Sequence, residues 1–193
     1  MSIKDICQFR LFYSGGIGLY YRLDVVLKAL KRFIDNGAKD AVLIIVGAGE
    51  VDTVLSMASQ LGVSKNVEYK GVISEKTELA NLIAEADVGL IPYDNNPLWK
   101  NALPAKFFEY CACGLPVIAT VYDDSILGKL IRDNAIDIIS PPLDDVKLAE
   151  AFYDLYCNIS FREVAGKKAR ILIEEKFDRN KIAEEYLKLI KDN

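Results

Sequence analysis

The segment AVLIIVGAGEVDTVLSMASQLG, residues 41–62, carries the strongest indication of the architecture. Its first part, residues 41–47, is apolar throughout and lacks polar alternation, which predicts a strand buried on both faces. A glycine-containing turn leads into residues 50–62, where apolar residues have helical spacing and Gly62 marks the end. A doubly buried strand followed directly by a helix is typical of a parallel sheet between two helical layers.

The alternation of strand and helix patterns continues on both sides of this segment. Further strands are predicted in RLFYS (10–14), NVEYKG (66–71), DVGLIPY (87–93), PVIAT (116–120) and AIDIIS (135–140). Helices are predicted in LDVVLKALKRFIDNG (23–37), EKTELANLIAEA (75–86), NALPAKFFEYCACGL (101–115) and DSILGKLIRDN (124–134), and from residue 141 onward with two or three breaks. The sequence therefore predicts one domain over residues 1–193. It is an α/β, Rossmann-like doubly wound parallel sheet of about six strands with helices on both faces and a helical C-terminus.

The composition is that of a soluble globular protein, with 51% hydrophobic and 27% charged residues. The net charge is −4 and no basic face is visible, which argues against a nucleic-acid partner. The N-terminal MSIKDICQFRLFYSGG (1–16) lacks the apolar core of a signal peptide, and no run reaches the roughly 18 apolar residues of a membrane span. The expected location is cytoplasmic.

Neither a zinc site nor a disulfide framework is expected from the four cysteines. They are Cys7, Cys111, Cys113 and Cys157. The pattern contains a C-x-C but no C-x-x-C or second pair, and the chain has no histidine. We interpret the cysteines as small, mostly buried hydrophobic residues in a reducing compartment, and we expect no metal.

Four loops follow the carboxyl ends of predicted strands, where ligands bind in this kind of sheet. They are SGGIG (14–18), GAGE (47–50), GVIS (71–74) and PYDNNPLWKNALP (92–104). The first contains Gly15, Gly16 and Gly18, which would let backbone amides approach an anion; a tight turn without a ligand is the alternative. Its spacing is not G-x-G-x-x-G, which disfavours an NAD site. In the second loop, Gly47 and Gly49 are explained by a simple turn.

The helix predicted within residues 101–115 has an unusual pair of charges. At 100° per residue its core side would carry Pro104, Phe107, Phe108, Cys111 and Leu115, and the opposite side Lys106, Glu109 and Cys113. Pro104 suits the first helical position. One account is a surface ion pair between Lys106 and Glu109. The other is that Lys106 and the free helix amides bind phosphate, while Glu109 accepts hydrogen bonds from a ribose diol.

Residues 101–120, NALPAKFFEYCACGLPVIAT, resemble the nucleotide-sugar-binding motif of retaining glycosyltransferases with the GT-B fold, in the family 4 group. The similar branch has the pattern P-x-K-x-x-E-Y-x-x-x-G-x-P-V-I. YSGGIGLYYRLDVVLKAL (13–30) resembles its G-x-I-G-x-x-x-G-L-D turn, with Arg22 in place of the last glycine. IISPPLDDVKLAEAF (138–152) resembles its PP-x-D segment. In order and spacing, the resemblance covers essentially the whole chain.

The resemblance implies a site for a nucleoside diphosphate sugar, with no metal because no D-x-D occurs. Glu109 would bind the ribose, and the backbone at Gly71–Val72 would contact the base. Asn101 replaces the family glutamate that contacts the donor sugar. Gly16 and Tyr21 occupy the places of the phosphate-binding arginine and lysine, so Arg22 and Lys106 are the candidates for that contact. The complete candidate site is Gly15, Gly16, Gly18, Arg22, Gly71, Val72, Leu103, Pro104, Lys106 and Glu109.

The resemblance is to the donor-binding half of a GT-B enzyme. The implied function is donor binding in the transfer of a sugar to a glycan, lipid or protein acceptor, with the catalytic residues unknown. The implied partner is an acceptor-binding domain or subunit, which could bring peripheral membrane association. The alternative is a non-catalytic nucleotide-sugar-binding subunit of a two-chain glycosyltransferase. A third interpretation, a sugar-nucleotide epimerase fragment, needs acid and base residues that the sequence does not place.

Overall fold

The computed structural model describes residues 8–18 and 20–191 and contains a six-stranded parallel sheet. The strands are β1 (Arg10–Ser14), β2 (Val42–Val46), β3 (Val67–Tyr69), β4 (Val88–Pro92), β5 (Val117–Thr120) and β6 (Asp137–Ser140). Their order across the sheet is β3-β2-β1-β4-β5-β6, so β1 lies at the point where the order reverses. The predicted Rossmann-like fold class is confirmed.

Eight α-helices connect and follow the strands in the described residues. They are α1 (Leu23–Asp35), α2 (Val51–Gln60), α3 (Lys76–Ala84), α4 (Ala105–Ala112), α5 (Ile126–Asn134), α6 (Asp145–Cys157), α7 (Ile159–Lys176) and α8 (Arg179–Lys191). Two short 3₁₀ helices, Ser64–Asn66 and Pro97–Asn101, were not predicted. Such single turns are too short to produce an apolar periodicity in the sequence.

The sheet separates two hydrophobic layers, as the apolar run in β2 predicts. Leu43 and Ile45 face the layer that contains α1, α2 and α6. Val42, Ile44 and Val46 face the layer that contains α3, α4, α5 and α7. All five side chains are buried, because successive residues of a strand point to opposite faces and both faces are covered.

The orientation of α4 differs from the prediction. Phe107 and Cys111 are buried as expected, but Lys106 and Tyr110 are buried as well, and Phe108 is only partly buried. Lys106 retains 8% of its accessible surface, so its placement on a solvent-facing side was wrong. The helical wheel considers α4 alone, whereas β1 and the loop that follows it cover the side of α4 that carries Lys106.

Tyr110 anchors α4 to the centre of the sheet. Its ring occupies space over Gly89 of β4, where an added Cβ would lie 2.5 Å from the ring. Its hydroxyl accepts a 2.8 Å hydrogen bond from the backbone amide of Ser14 at the end of β1. The first turns of α4 are thereby held against the carboxyl end of β1.

The cysteines have different environments. Cys111 is buried, Cys113 is partly buried and Cys157 is exposed, so the expectation of mostly buried cysteines holds for only part of the set. Cys7 lies outside the described residues, as does most of the N-terminal segment that was considered as a signal peptide. None of the helices in the described ranges combines the length and apolar character needed to cross a bilayer.

Candidate functional site

A cleft of about 590 Å³ opens at the edge of the sheet where the parallel strands end. Its walls come from the loops after β1, β2, β3 and β4 and from the start of α4. It is lined by Ser14, Gly15, Gly16, Tyr21, Val46, Gly47, Ala48, Val72, Ile73, Leu79, Tyr93, Pro104, Ala105, Lys106 and Glu109. The position beside the reversal of strand order is where open α/β sheets bind ligands.

The floor of the cleft is formed by two glycine-containing loops in backbone contact. The amide of Gly15 donates to the carbonyl of Val46 over 3.0 Å, and the amide of Ile17 donates to Ala48 over 2.8 Å. A Cβ on Gly47 would overlap the carbonyl oxygen of Gly15. The glycine in the second loop is therefore required by the approach of the first loop, in addition to the turn that the sequence suggested.

Several backbone amides at the cleft have no acceptor among the described residues. They are the amide of Gly16 and the amides of Ala105 and Lys106 at the start of α4. The helix begins one residue later than predicted, and Pro104 is its N-cap without a side-chain hydrogen bond. Uncapped amides at a helix N-terminus attract anions, because the hydrogen bonds and the helix dipole both favour negative charge.

Lys106 contributes a buried amine to the same cleft. Its Nζ lies 4.1 Å from the ring centre of Tyr13 and 4.6 Å from that of Tyr21. Nζ has no hydrogen-bond partner among the described residues and forms no ion pair with Glu109, so the surface ion pair considered above is not formed. Burial lowers the pKa of Lys106 to about 7, while the charge of Glu109 acts to raise it. An anion in the cleft would complete this site.

The position of the lysine amine depends on Gly15. This residue has φ of +132°, and a Cβ there would lie 3.0 Å from Nζ of Lys106. Glycine is therefore favoured both by the backbone conformation and by the space that the amine occupies.

Six of the predicted residues line the cleft. They are Gly15, Gly16, Val72, Pro104, Lys106 and Glu109. Gly71 lies next to it, and its carbonyl accepts a 2.8 Å hydrogen bond from the amide of Gly47. Leu103 is exposed just before α4 and is not among the lining residues. Glu109 is exposed, unlike the neighbouring Lys106.

Gly18 and Arg22 belong to a neighbouring cavity of about 320 Å³. The guanidinium of Arg22 donates two hydrogen bonds of 2.7 Å to Asp24, which lower the pKa of that carboxyl group. Arg22 therefore has a partner of its own, and of the two predicted phosphate ligands Lys106 is the one in the cleft.

Tyr13 and Tyr93 in the cleft region were missed by sequence reasoning, and Tyr21 was considered only as the residue in the place of a family phosphate-binding side chain. Tyr21 and Tyr93 line the cleft, and Tyr13 lies beneath Lys106 and donates a short hydrogen bond to the carbonyl of Gly16. Burial raises the pKa of Tyr13 and of Tyr93, so both hydroxyls stay protonated at neutral pH. The available signal was the aromatic residues at the ends of β1 and β4, in FYS and PY.

The sequence profile of the family described as "Glycosyl transferases group 1" matches residues 7–172. The chain belongs to this family. Within the described residues, no group of three or more His, Cys, Asp or Glu side chains is arranged to hold a metal ion.

Curated relatives share part of the sequence, and solved structures share the fold. The GDP-mannose-dependent alpha-(1-6)-phosphatidylinositol monomannoside mannosyltransferase of Mycolicibacterium smegmatis is 31% identical over 135 residues, which are 64% of this chain and 34% of that protein. HepE of Anabaena, solved with UDP and glucose, has a TM-score of 0.79 at 14% identity and aligns over 96% of this chain and 49% of its own. The C-terminal domain of LpcC from Francisella tularensis has a TM-score of 0.73 at 16% identity, and the alignment covers 89% of this chain and 87% of that domain's chain. The chain spans 27% to 34% of the length of the curated relatives it matches.

Proposed function

We propose that the cleft binds the nucleoside diphosphate of a sugar nucleotide and that the chain is the donor-binding domain of a glycosyltransferase. The observation that carries this proposal is the amine of Lys106, which is buried with no hydrogen-bond or ionic partner among the described residues and belongs to the cleft where α4 begins. A buried ammonium group without an anion is unfavourable, and a diphosphate would supply the missing negative charge.

The cleft offers a suitable environment for each part of the ligand. Val72, Ile73 and Leu79 give an apolar end for the base. Glu109 lines the cleft, and its carboxylate would accept hydrogen bonds from the ribose hydroxyls. Lys106 and the nearby amides would hold the phosphates, and the same groups would stabilise the negative charge of the leaving diphosphate during transfer.

The comparisons favour a hexosyl donor but support more than one base. The mycobacterial relative is named for GDP-mannose, and HepE was solved with UDP and glucose. We propose that the acceptor is a glycan, lipid or protein held by a further domain or subunit, which could contact a membrane surface. A cytoplasmic location and metal-independent binding remain predictions.

The first test replaces Lys106 with methionine, an unbranched side chain that is one heavy atom shorter and carries no charge. We expect about 10- to 100-fold weaker binding of UDP or GDP in calorimetry, and little change for uridine or guanosine. Lys147→Met is the matched control, because Lys147 is an exposed lysine on α6. Equal losses for nucleoside and diphosphate would remove Lys106 from the phosphate site.

The same titrations test Glu109. Glu109→Ala should weaken the nucleoside and the diphosphate alike, by about 1.5–3 kcal/mol for a lost charged hydrogen bond. Unchanged affinity in a folded variant would exclude the ribose contact. Failure of the wild-type chain to bind any nucleoside diphosphate or its sugar would overturn the proposed function.

A further inference from the structure

The order of the loops along the sheet edge gives the proposed ligand a direction. The cleft runs from the loop after β3, with Val72 and Ile73, past β2 and β1 to Tyr93 after β4. The phosphate-binding groups lie in the middle, at Gly16 and Lys106. If the base occupies the apolar β3 end, the sugar beyond the second phosphate lies at the β4 end. This placement of the sugar at the β4 end rests on the proposed function.

An aromatic stack stands at the β4 end. The ring of Tyr93 lies parallel to the ring of Trp99, with centroids 4.2 Å apart and 3° between the planes. The other neighbour of Tyr93 is Tyr21, which is tilted against it at 5.9 Å. The indole N–H of Trp99 donates a hydrogen bond to the carboxylate of Asp94. Trp99 is therefore held in one orientation by a ring contact and by a hydrogen bond.

The segment that carries Trp99 is held at both ends. At its start, the side chain of Asn96 accepts a 3.0 Å hydrogen bond from the amide of Leu98. At its end, Lys100 forms a 2.7 Å ion pair with Asp124 and lies over the ring of Tyr122. The position of the indole is thus defined by the fold, as is required of a residue that orients a ligand.

Tyr20, from the loop after β1, completes a corner with Trp99. The two ring centroids are 6.4 Å apart and the planes meet at 73°. Tyr20 is 56% exposed, and it precedes Tyr21, which lines the cleft. One ring is fixed and the other is open to solvent, and together they present apolar surface on two planes that meet at nearly right angles.

We propose that Tyr20 and Trp99 form the wall against which the hexose of the donor packs. A pyranose has faces of C–H groups and a rim of hydroxyl groups, so one face packs on an aromatic ring while the rim stays hydrogen-bonded. Aromatic side chains suit this role because they combine large apolar area with few rotatable bonds. The wall would therefore determine which sugars bind well, whereas Lys106 and the amides bind any nucleoside diphosphate.

The test compares binding of UDP with UDP-glucose and of GDP with GDP-mannose, for the wild-type chain and variants. Tyr20→Ala and Trp99→Phe should each reduce the affinity of the better-bound sugar nucleotide about 3- to 10-fold relative to its diphosphate. The affinity for the diphosphate itself should not change. Tyr186→Ala is the matched control, because Tyr186 is an exposed tyrosine on α8.

Three outcomes would overturn the inference. An unchanged ratio of sugar-nucleotide to diphosphate affinity in both variants would exclude contact with the hexose. Weaker binding of free uridine or guanosine would place the base, and not the sugar, against Tyr20 and Trp99. If the wild-type chain binds none of these ligands, the proposed function itself fails, which is a different result from binding with an unchanged ratio.

Trp99 also provides a direct signal, because it is the only tryptophan of the chain. Its fluorescence should change on addition of the sugar nucleotide and change less with the diphosphate alone. Tyr20→Ala should reduce this difference. Identical spectra with both ligands, at concentrations that saturate binding, would contradict a hexose at the wall.

Discussion

Lys106 is the residue whose chemistry depends most on its surroundings. Its amine lies over the rings of Tyr13 and Tyr21. Burial raises the pKa of Tyr13, Tyr93 and Tyr110, so these three hydroxyl groups stay uncharged at neutral pH. Burial brings the pKa of the amine down to about 7, so the empty cleft holds a mixture of neutral and charged lysine near neutral pH. A bound diphosphate would favour the charged form and raise the pKa again.

This linkage predicts proton uptake when a diphosphate binds. Above the free-site pKa of about 7 the empty site has lost its proton, whereas the complex keeps it. The affinity for UDP or GDP should therefore fall as pH rises from 7 to 9, approaching about tenfold per pH unit for a single proton. Calorimetry at pH 8 in buffers of different ionisation enthalpy measures the uptake directly.

Variants of the same residue provide the controls for this experiment. Lys106→Arg stays charged throughout this pH range, so its binding should lose the pH dependence, as should that of Lys106→Met. Binding by the wild-type chain without proton uptake would show that Lys106 does not change its charge when the ligand enters.

At the scale of elements, the cleft depends on the contact between the loops after β1 and β2. Ile17 and Gly49 form an isolated parallel bridge there, and the amide of Glu50 donates to Ile17 over 2.7 Å. These bonds extend the pairing of β1 and β2 beyond the strands. The amides of Gly15 and Ile17 donate hydrogen bonds to Val46 and Ala48. The amide of Gly16, between them, has no acceptor among the described residues and is available to a ligand.

Gly47→Ala should disrupt this contact. The added Cβ would overlap the carbonyl oxygen of Gly15, and the residue has φ of +143°. We expect the free energy of unfolding in urea to fall by about 2 kcal/mol more than for Gly62→Ala. Gly62 has φ of +73° with no atom within 4 Å of an added Cβ, so this control contains backbone strain without the overlap. Equal decreases in the free energy of unfolding for the two variants would show that the loops after β1 and β2 can move apart with little loss of stability.

At the scale of the whole molecule, we expect the 193-residue chain to bind donor without transferring it at a useful rate. Transfer requires the acceptor to be held in line with the anomeric carbon, and this positioning supplies a large part of the rate. The chain contains no histidine, the commonest general acid or base. The measurement is transfer from UDP- and GDP-sugars to lipid and glycan acceptors. Robust transfer by the chain alone would contradict the prediction.

Much of the architecture follows from local patterns. The apolar run of β2 predicted a strand covered on both faces, and helix periodicity with Gly37 and Gly62 predicted the ends of α1 and α2 to within a few residues. These features depend on residues close together in the chain, so a single sequence contains them. The same holds for the general position of the cleft, because parallel strands end at one edge.

Contacts between distant segments lie outside such patterns. The side of α4 that carries Lys106 is buried because tyrosines some 85 to 93 positions earlier in the chain lie against it, and a helical wheel contains no information about them. The pairing of Arg22 with Asp24, and its place in a neighbouring cavity, likewise could not be inferred from the pattern. The stack of Trp99 on Tyr93 requires a short 3₁₀ turn that has no periodicity of its own. Local periodicity thus specifies the elements, whereas burial and pairing of the site residues arise only when those elements pack together.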